Sequence, residues 1–360
     1  MTFERDNIAR MAGYASGEQP KDDDVIKLNT NENPYPPSPR VQQIIEQFAA
    51  SALRRYPPPT ADGFRDRVAA LHGVVRDNII ATRGGDELLR LLITTFVEPG
   101  QPIGMTEPTY SLYPVLAEIQ DCPVFKVPLG DDWSHAPDMA ERVNQAGCPL
   151  TFVVNPHAPS GRLHNVQELD ALAGAINGLL VIDEAYVDFT DGTYDAVPLI
   201  RSHDNVVILR TLSKGYSLAG LRFGYGIGPA SLIEPMVTKT RDSYNLDTFS
   251  QQIAEAAVDD QAYAQETWEN VRRERSRLAS ELAQLGLTAP PSDTNFLLVT
   301  IPPSSGIGAR DVYLKLKDER ILVRYFDAER LHDKLRVSVG TPAENDALLK
   351  SLKSILGSAN

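Results

Sequence analysis

Cysteine is scarce in this sequence, which argues against a domain stabilised by disulfide bonds or by a bound metal. Among the 360 residues there are two cysteines, Cys122 and Cys148. They form no C-x-x-C pair, and no histidine cluster joins them at metal-ligand spacing. We therefore expect neither a disulfide framework nor a bound metal.

Long apolar runs and an excess of positive charge are missing as well. No uninterrupted apolar stretch reaches the roughly 20 residues that span a bilayer. The 48 aspartates and glutamates outnumber the 35 lysines and arginines, which leaves a net charge of −13. Nucleic acids and anionic membranes attract a positive surface, so we expect neither as a partner. The charged first ten residues do not have the apolar segment of a secretory signal, and we expect a cytoplasmic location.

The chain does contain enough ordinary globular sequence for about two domains. Hydrophobic residues make up 42% and charged residues 23%, which is typical of a globular protein. Short apolar runs rich in β-branched residues, such as PLTFVVNP and NVVILRTLS, alternate with helical stretches such as VQELDALAGAI. This alternation predicts an α/β fold with a mostly parallel sheet flanked by helices.

The C-terminal part has a different pattern. A long helical region covers about 230–285, and after Gly286 come two or three strands with a helix on each side. We therefore predict an N-terminal arm (1–40) that packs on a small domain, a large domain (41–260), and that small α+β domain (261–360).

Polar side chains stand at the carboxyl ends of the predicted parallel strands, where ligands bind in sheets of this kind. These strand ends supply an amide, a carboxylate, a phenol, two hydroxyls and an amine, from Asn155, Asp183, Tyr186, Thr211, Ser213 and Lys214. Another strand leads through Gly84-Gly85 into a helix, whose start offers free N–H groups to an anion. Pyridoxal 5′-phosphate needs this whole set, because it requires a lysine, an anion for its ring nitrogen, donors for its phenolate oxygen and a phosphate site.

Each of these residues alone has a simpler interpretation. A strand-end aspartate often caps a helix, and Ser-x-Lys also occurs as a nucleophile pair in hydrolases. The coincidence of all of them at successive strand ends favours the cofactor. The glycines of Gly224-Tyr-Gly226-Ile-Gly228 resemble a dinucleotide fingerprint, but Pro229 stands where its third glycine is needed. We interpret that segment as a strand whose glycines permit close packing.

The sequence resembles the fold-type I aminotransferases, and among them the histidinol-phosphate aminotransferase family. The matching segments follow the family's order over nearly the whole chain: LNTNENPYPPSP (28–39), RRYPPP (54–59), RGGDELL (83–89), EPTYSLY (107–113), VVNPHAPSG (153–161), VIDEAYVDF (181–189), TLSKGYSLAGLRFGYGIG (211–228), ILVRYF (321–326) and LRVSVG (335–340). The block SKGYSLAGLRFG, with DEAY upstream, is the most specific of them. The resemblance implies the fold-type I architecture and pyridoxal 5′-phosphate as the cofactor.

The resemblance also implies catalytic and ring-binding roles. Lys214 would carry the cofactor as a Schiff base, and Asp183 would pair with the ring nitrogen. Asn155 and Tyr186 would bind the phenolate oxygen, and Tyr110 would stack on the ring.

Phosphate and substrate contacts follow from the same resemblance. The phosphate would be held by the backbone around Gly85, Asp86 and Glu87 and by Thr211, Ser213 and Arg222. Tyr56 would reach the phosphate of a neighbouring subunit's cofactor, so a homodimer with shared active sites is expected. Arg336 would bind the anionic group of the substrate, and Arg324, Tyr14 and Asn33 would complete its pocket.

The sequence departs from the family pattern in two loops. The usual N-P-N-N-P-T-G becomes Asn155-Pro-His157-Ala158-Pro-Ser-Gly, and we interpret His157 as a loop residue without a catalytic part. The N-terminal arm has Pro36 where glycine is usual, which predicts a stiffer arm.

The main functional interpretation is transamination of L-histidinol phosphate with 2-oxoglutarate, a step of histidine synthesis. An aromatic amino-acid aminotransferase and a threonine-phosphate decarboxylase stay open, because each of their substrates also carries an anion for Arg324 and Arg336. A pyridoxal-phosphate-binding transcriptional regulator would need a basic winged-helix segment before the cofactor domain, and we expect none because the N-terminal region is too short and not basic.

Overall fold

The structure is a computed structural model that describes residues 3–22 and 24–357. Its α-helices are α1 Asp6–Arg10, α2 Pro39–Gln47, α3 Asp62–His72, α4 Gly84–Phe96, α5 Leu112–Ile119, α6 Met139–Gln145, α7 Val166–Ala175, α8 Leu199–Ser202, α9 Ala230–Pro235, α10 Thr248–Val258, α11 Gln261–Gln284, α12 Ala309–Asp318 and α13 Pro342–Gly357. Its β-strands are β1 Ile26–Lys27, β2 Ile79–Thr82, β3 Ile103–Glu107, β4 Val124–Pro128, β5 Leu150–Val154, β6 Leu179–Asp183, β7 Val206–Thr211, β8 Gly224–Ile227, β9 Phe296–Thr300, β10 Ile321–Leu322, β11 Arg324–Tyr325 and β12 Lys334–Ser338.

Seven of the described strands form a sheet that we call the large sheet, in the order β2-β8-β7-β6-β5-β3-β4. Strand β8 pairs antiparallel with both of its neighbours, and the other pairings are parallel. Alternate residues of β6 enter two different apolar cores. Leu180 and Ile182 pack in one core, and Leu179 and Val181 pack in the other. Both faces of the sheet are therefore covered, and the predicted α/β fold with a mostly parallel sheet is confirmed.

The glycines of β8 serve close packing. A Cβ atom added to Gly224 would lie 2.8 Å from the carbonyl carbon of Gly84, and one added to Gly226 would lie 2.9 Å from Cδ2 of Leu88. Strand β8 thus supports the start of α4, as the interpretation of this segment as a packed strand predicted.

A second sheet, which we call the small sheet, pairs β11, β12 and β9 antiparallel. Helices α12 and α13 pack on it, and the arm enters the same core through Leu28. The arm also adds β1, which pairs parallel with β10. No helix in the described ranges has the length and apolar character needed to cross a membrane.

The predicted long helical region of 230–285 is divided in the structure. It consists of α9, a short π-helix over Met236–Thr240, α10 and α11. The helical segment ends at Thr240, and α10 begins after Asp247, whose carboxylate caps it by accepting a hydrogen bond from the Ser250 amide at 2.8 Å. Helix α11 contributes Val271 to a core of the large sheet and Leu278 to the core of the small sheet. The domain boundary predicted at 260/261 stays a prediction, since the helix that begins there packs in both cores.

Candidate active site

A cavity of about 610 Å³ lies at the carboxyl ends of the parallel strands. Twelve of the residues predicted from the sequence line it: Tyr14, Gly85, Asp86, Tyr110, Asp183, Tyr186, Thr211, Ser213, Lys214, Arg222, Arg324 and Arg336. The arm, the large sheet and the small sheet all contribute, so the fold brings together residues that are far apart in sequence.

One end of the cavity is built to receive an anion. Helix α4 begins there at Gly84, whose φ of 77° is a left-handed conformation that glycine adopts without strain. A Cβ atom on Gly84 would lie 2.7 Å from the guanidinium of Arg222, so a side chain would fill this space. Arg222 donates hydrogen bonds to the hydroxyl of Ser213 at 3.2 Å and to Asp86 at 3.1 Å. The helix start, the cation and the hydroxyl are the kinds of group that bind a phosphate.

Lys214 presents an amine with an altered proton affinity to the cavity. Its Nζ atom donates a hydrogen bond to the carbonyl of Thr30 at 2.8 Å and lies 5.9 Å from the centre of the Tyr186 ring. Burial lowers the pKa of Lys214 to about 8, and the positive charge of Arg336 adds to the effect. A lysine in this state has a much larger neutral fraction near neutral pH, which suits a nucleophile or a base.

Asp183 lies buried at the end of β6, and it has a partner that the sequence analysis did not assign. The hydroxyl of Tyr113 donates a hydrogen bond to Oδ2 of Asp183 at 2.6 Å, and the amide of Ala185 donates to Oδ1 at 3.0 Å. Burial raises the pKa of Asp183 to about 6, and the Tyr113 hydrogen bond opposes this rise. Tyr113 stands in the segment EPTYSLY, but nothing in the sequence alone aims its hydroxyl at Asp183.

Asn31 is a second residue that sequence reasoning missed. Its amide donates a hydrogen bond to the Tyr186 hydroxyl at 3.0 Å, and its φ of 57° turns the chain at that point. The structure does not bring the predicted Asn33 into the cavity. The amide of Asn33 instead donates a hydrogen bond to the carbonyl of Gly215 at 3.1 Å.

Three more predicted residues lie outside the cavity lining. Asn155 is fully buried, and its amide donates hydrogen bonds to the carbonyl of His164 at 3.0 Å and to the Tyr194 hydroxyl at 2.9 Å. The carboxylate of Glu87 accepts from the amide of Asn245 at 3.0 Å. Tyr56 is 81% exposed on the surface.

The two predicted substrate arginines face each other across the small sheet. Arg324 and Arg336 are directly opposite in the antiparallel pair β11–β12, so their side chains leave the same face. Arg336 donates a hydrogen bond to the carbonyl of Asn29 at 3.2 Å, and burial lowers its pKa. Within the described residues no carboxylate forms an ion pair with Arg324, not even the neighbouring Asp327 or Glu329.

The departure at His157 has a structural explanation. His157 is buried, and its ring nitrogens lie 2.8 Å from the Ser160 hydroxyl and 3.0 Å from the carbonyl of Pro108. Burial lowers its pKa to about 4, so it is neutral near neutral pH. The side chain of His157 stabilises the loop through these two contacts, as expected of a residue without a catalytic part.

The lining residues fit pyridoxal 5′-phosphate. The α4 start, Arg222 and Ser213 suit its phosphate, and the buried carboxylate of Asp183 suits a protonated ring nitrogen. Lys214 lines the same cavity with an amine of lowered pKa, and Tyr110 supplies an aromatic face.

Comparison with known proteins agrees with this geometry. The model of the family "Aminotransferase class I and II" matches residues 23–352. Histidinol-phosphate aminotransferase 1 of Nostoc sp. is 42% identical over 355 residues, which cover 98% of each chain. The histidinol-phosphate aminotransferase of Geotalea uraniireducens is 42% identical over 352 residues, which cover 98% of this chain and 99% of the relative. The crystal structure of histidinol-phosphate aminotransferase from Sinorhizobium meliloti in complex with pyridoxal-5′-phosphate has a TM-score of 0.86 and 27% identity, covering 93% of this chain and 92% of that one.

The chain is therefore a member of the class I and II aminotransferases, which are transferases. Within them it belongs to the family of the histidinol-phosphate aminotransferases, to which these relatives belong over nearly their full length. The predicted family and the predicted fold-type I architecture are both confirmed.

Proposed function

We propose that this chain is a pyridoxal-phosphate-dependent aminotransferase that transfers the amino group of L-histidinol phosphate to 2-oxoglutarate in histidine synthesis. Its relatives at 42% identity bear the name of that activity. The observation that carries the choice of donor is the facing pair of Arg324 and Arg336 on one wall of the cavity.

Different residues of the chain have separate roles in such a reaction. When bound, pyridoxal phosphate supplies a ring that accepts the electron pair left at the donor's Cα. Lys214 removes the proton from that carbon, which its lowered pKa favours near neutral pH. Asp183 holds a proton on the ring nitrogen, and Tyr113 holds Asp183 in place. The α4 start and Arg222 bind the phosphate and fix the ring.

The arginine pair favours a dianionic donor. Two guanidinium groups on one face repel each other, and a phosphate monoester offers each of them an oxygen pair with matching geometry. An amino acid with a single carboxylate satisfies only part of this site. We therefore expect histidinol phosphate to have a higher kcat/KM than phenylalanine by about ten- to a hundredfold, since each unmade charged hydrogen bond costs about 1.5–3 kcal/mol.

The test compares kcat/KM for histidinol phosphate, phenylalanine and threonine phosphate in the wild type and in Arg324→Ala. The variant should lose about tenfold or more with histidinol phosphate and far less with phenylalanine. Arg310→Ala, an exposed arginine on α12, is the matched control. If phenylalanine is the best donor and Arg324→Ala keeps that preference, the enzyme is an aromatic aminotransferase. Release of carbon dioxide from threonine phosphate would make it a decarboxylase.

We further propose a homodimer with shared active sites. Tyr56 stacks on Tyr244 with ring centres 4.5 Å apart, although both rings are exposed to solvent. Leu53 and Ile45 are also exposed nearby in the sequence, on and after α2. A second copy of the chain would cover these exposed apolar side chains, and Tyr56 would then reach across the interface.

Mixing two inactive variants tests this sharing. If Tyr56 acts across the interface, a heterodimer of Lys214→Ala and Tyr56→Ala subunits contains one wild-type site and one doubly altered site, so activity returns on mixing. The control is each variant mixed with itself. Should Tyr56 act within its own chain, both sites of the heterodimer stay damaged and no activity returns.

The proposed location is the cytoplasm. Cys122 and Cys148 are both buried as free thiols, a state that a reducing compartment preserves. The net charge of −13 gives no attraction to nucleic acid or to anionic membranes.

A further inference from the structure

Arg330 connects the loop between β11 and β12 to the segment that follows β4 of the large sheet. Its two terminal nitrogens donate hydrogen bonds to the carbonyls of Leu129 at 2.7 Å and Gly130 at 2.8 Å. Its guanidinium also lies 4.5 Å from the centre of the Trp133 ring. A bidentate contact combined with a stacked aromatic ring is geometry that arginine can provide and lysine cannot.

The loop that Arg330 fastens, residues 326–333, forms part of the cavity wall. Phe326, Glu329 and Leu331 line the cavity beside Arg330 itself. The loop also joins the strands that carry Arg324 and Arg336. Any movement of this loop would therefore change the space in which the donor binds.

The receiving segment, residues 129–133, is itself fixed to the loop that follows β5. The ring of Trp133 stacks with His157 at 6.4 Å between ring centres. Arg162 donates hydrogen bonds to the backbone and to the carboxylate of Asp132, each at 3.0 Å. Arg330 thus contacts a segment that is itself held in place, since Trp133 is buried and its ring stacks on the hydrogen-bonded His157.

Apolar side chains complete the contact between the two segments. Leu129 and Trp133 of one segment form a small buried cluster with Leu331 of the loop and Leu298 of β9. Arg330 and Trp133 have φ values of 66° and 67°, left-handed conformations that cost free energy in non-glycine residues. Strain of this kind persists only where surrounding contacts determine it, and here it falls on both partners of the same contact.

We propose that Arg330 is a positioning residue, which holds the 326–333 loop on segment 129–133 and so fixes the outer wall of the donor pocket. The proposal rests on the aminotransferase function for its kinetic consequence only. If the loop is released and adopts its bound position a tenth of the time, KM rises about tenfold while kcat changes little.

The test uses Arg330→Lys, which keeps the positive charge but loses the fork, together with Arg330→Ala. In both variants we expect KM to rise for the amino donor and for the oxo-acid, by about tenfold, with kcat within about twofold of the wild type. Arg310→Ala is again the control, since it removes an exposed arginine from the same part of the chain. Binding of pyridoxal phosphate should be unchanged in all of them.

A readout on the cofactor-free protein separates this proposal from the proposed function. Hydrogen exchange should accelerate at 326–333 and 129–133 in the Arg330 variants, and Trp133 emission should shift towards that of an exposed ring. Trp133→Phe identifies its signal against that of Trp268. Unchanged exchange in both segments of a folded Arg330→Lys variant overturns the proposal. A rise in KM for the phosphate donor alone, with unchanged exchange, also overturns it, because Arg330 would then contact the donor directly. Failure of every amino donor in the wild type would refute the function and leave the exchange result standing.

Discussion

Replacing Lys214 by alanine is expected to lower turnover by at least about 10²–10⁴-fold, the usual contribution of a positioned acid–base group. In the reaction we propose, Lys214 is the buried amine that removes the proton from the donor's Cα, and alanine has no group to take that proton. Steady-state transamination by purified Lys214→Ala measures the effect, and a small primary amine added to the buffer should restore part of it. Lys239→Ala, at an exposed lysine, is the matched control.

The pKa of Lys214 gives this prediction a second measurement. Because burial and Arg336 lower that pKa to about 8, the neutral amine becomes the main form as the pH rises through 8. Capture of pyridoxal phosphate by the cofactor-free protein should therefore accelerate between about pH 7 and pH 9 and level off above, whereas an ordinary lysine would still be protonated there. Near-normal turnover of Lys214→Ala would refute the assignment of the whole cofactor site.

Asp183→Asn is expected to bind the cofactor but to lose about 10²–10³-fold in kcat, as does removal of one preorganised electrostatic group. An amide cannot hold a proton on the ring nitrogen as a carboxylate does. Cofactor absorbance and half-reaction rates measure the two effects separately. Half-reaction rates equal to those of the wild type would show that Asp183 only caps its strand.

Tyr113→Phe is expected to have a smaller effect on the same carboxylate, Asp183. It keeps the ring but removes the hydrogen bond that opposes the rise in the Asp183 pKa. The pKa of Asp183 should then rise further. On acidification, Asp183 should therefore become protonated at a higher pH than in the wild type. The acid limb of the kcat profile should move upwards, with a loss of about tenfold that is smaller than that of Asp183→Asn.

The strand-end residues could be predicted from sequence because periodicity locates the strands and topology brings their carboxyl ends together. Asp183, Thr211, Ser213 and Lys214 line the cavity for that reason. The division of 230–285 could not be predicted, because the helical segment ends at Thr240 and a new helix begins only after Asp247, whose carboxylate caps it.

Contacts set by individual backbone angles and rotamers were beyond the sequence. Asn31 and Asn33 stand two residues apart in the same motif, yet Asn31 contacts Tyr186 and Asn33 contacts Gly215. Asn155 is placed correctly at its strand end, but its amide orientation depends on His164 and Tyr194, which the chain supplies from later loops. The predicted role of Asn155 at the cofactor oxygen stays a prediction.

The register of the small sheet has a consequence for how this enzyme can diverge. Arg324 and Arg336 are aligned by the ladder of β11 and β12, and β12 is aligned in turn by five residue pairs with β9. Insertions or deletions in the connecting segment therefore leave both cations in place, whereas a one-residue slip within β12 would turn Arg336 to the opposite face. Homologues can thus acquire new donor preferences through the length of residues 326–333 while Arg324 and Arg336 keep their positions.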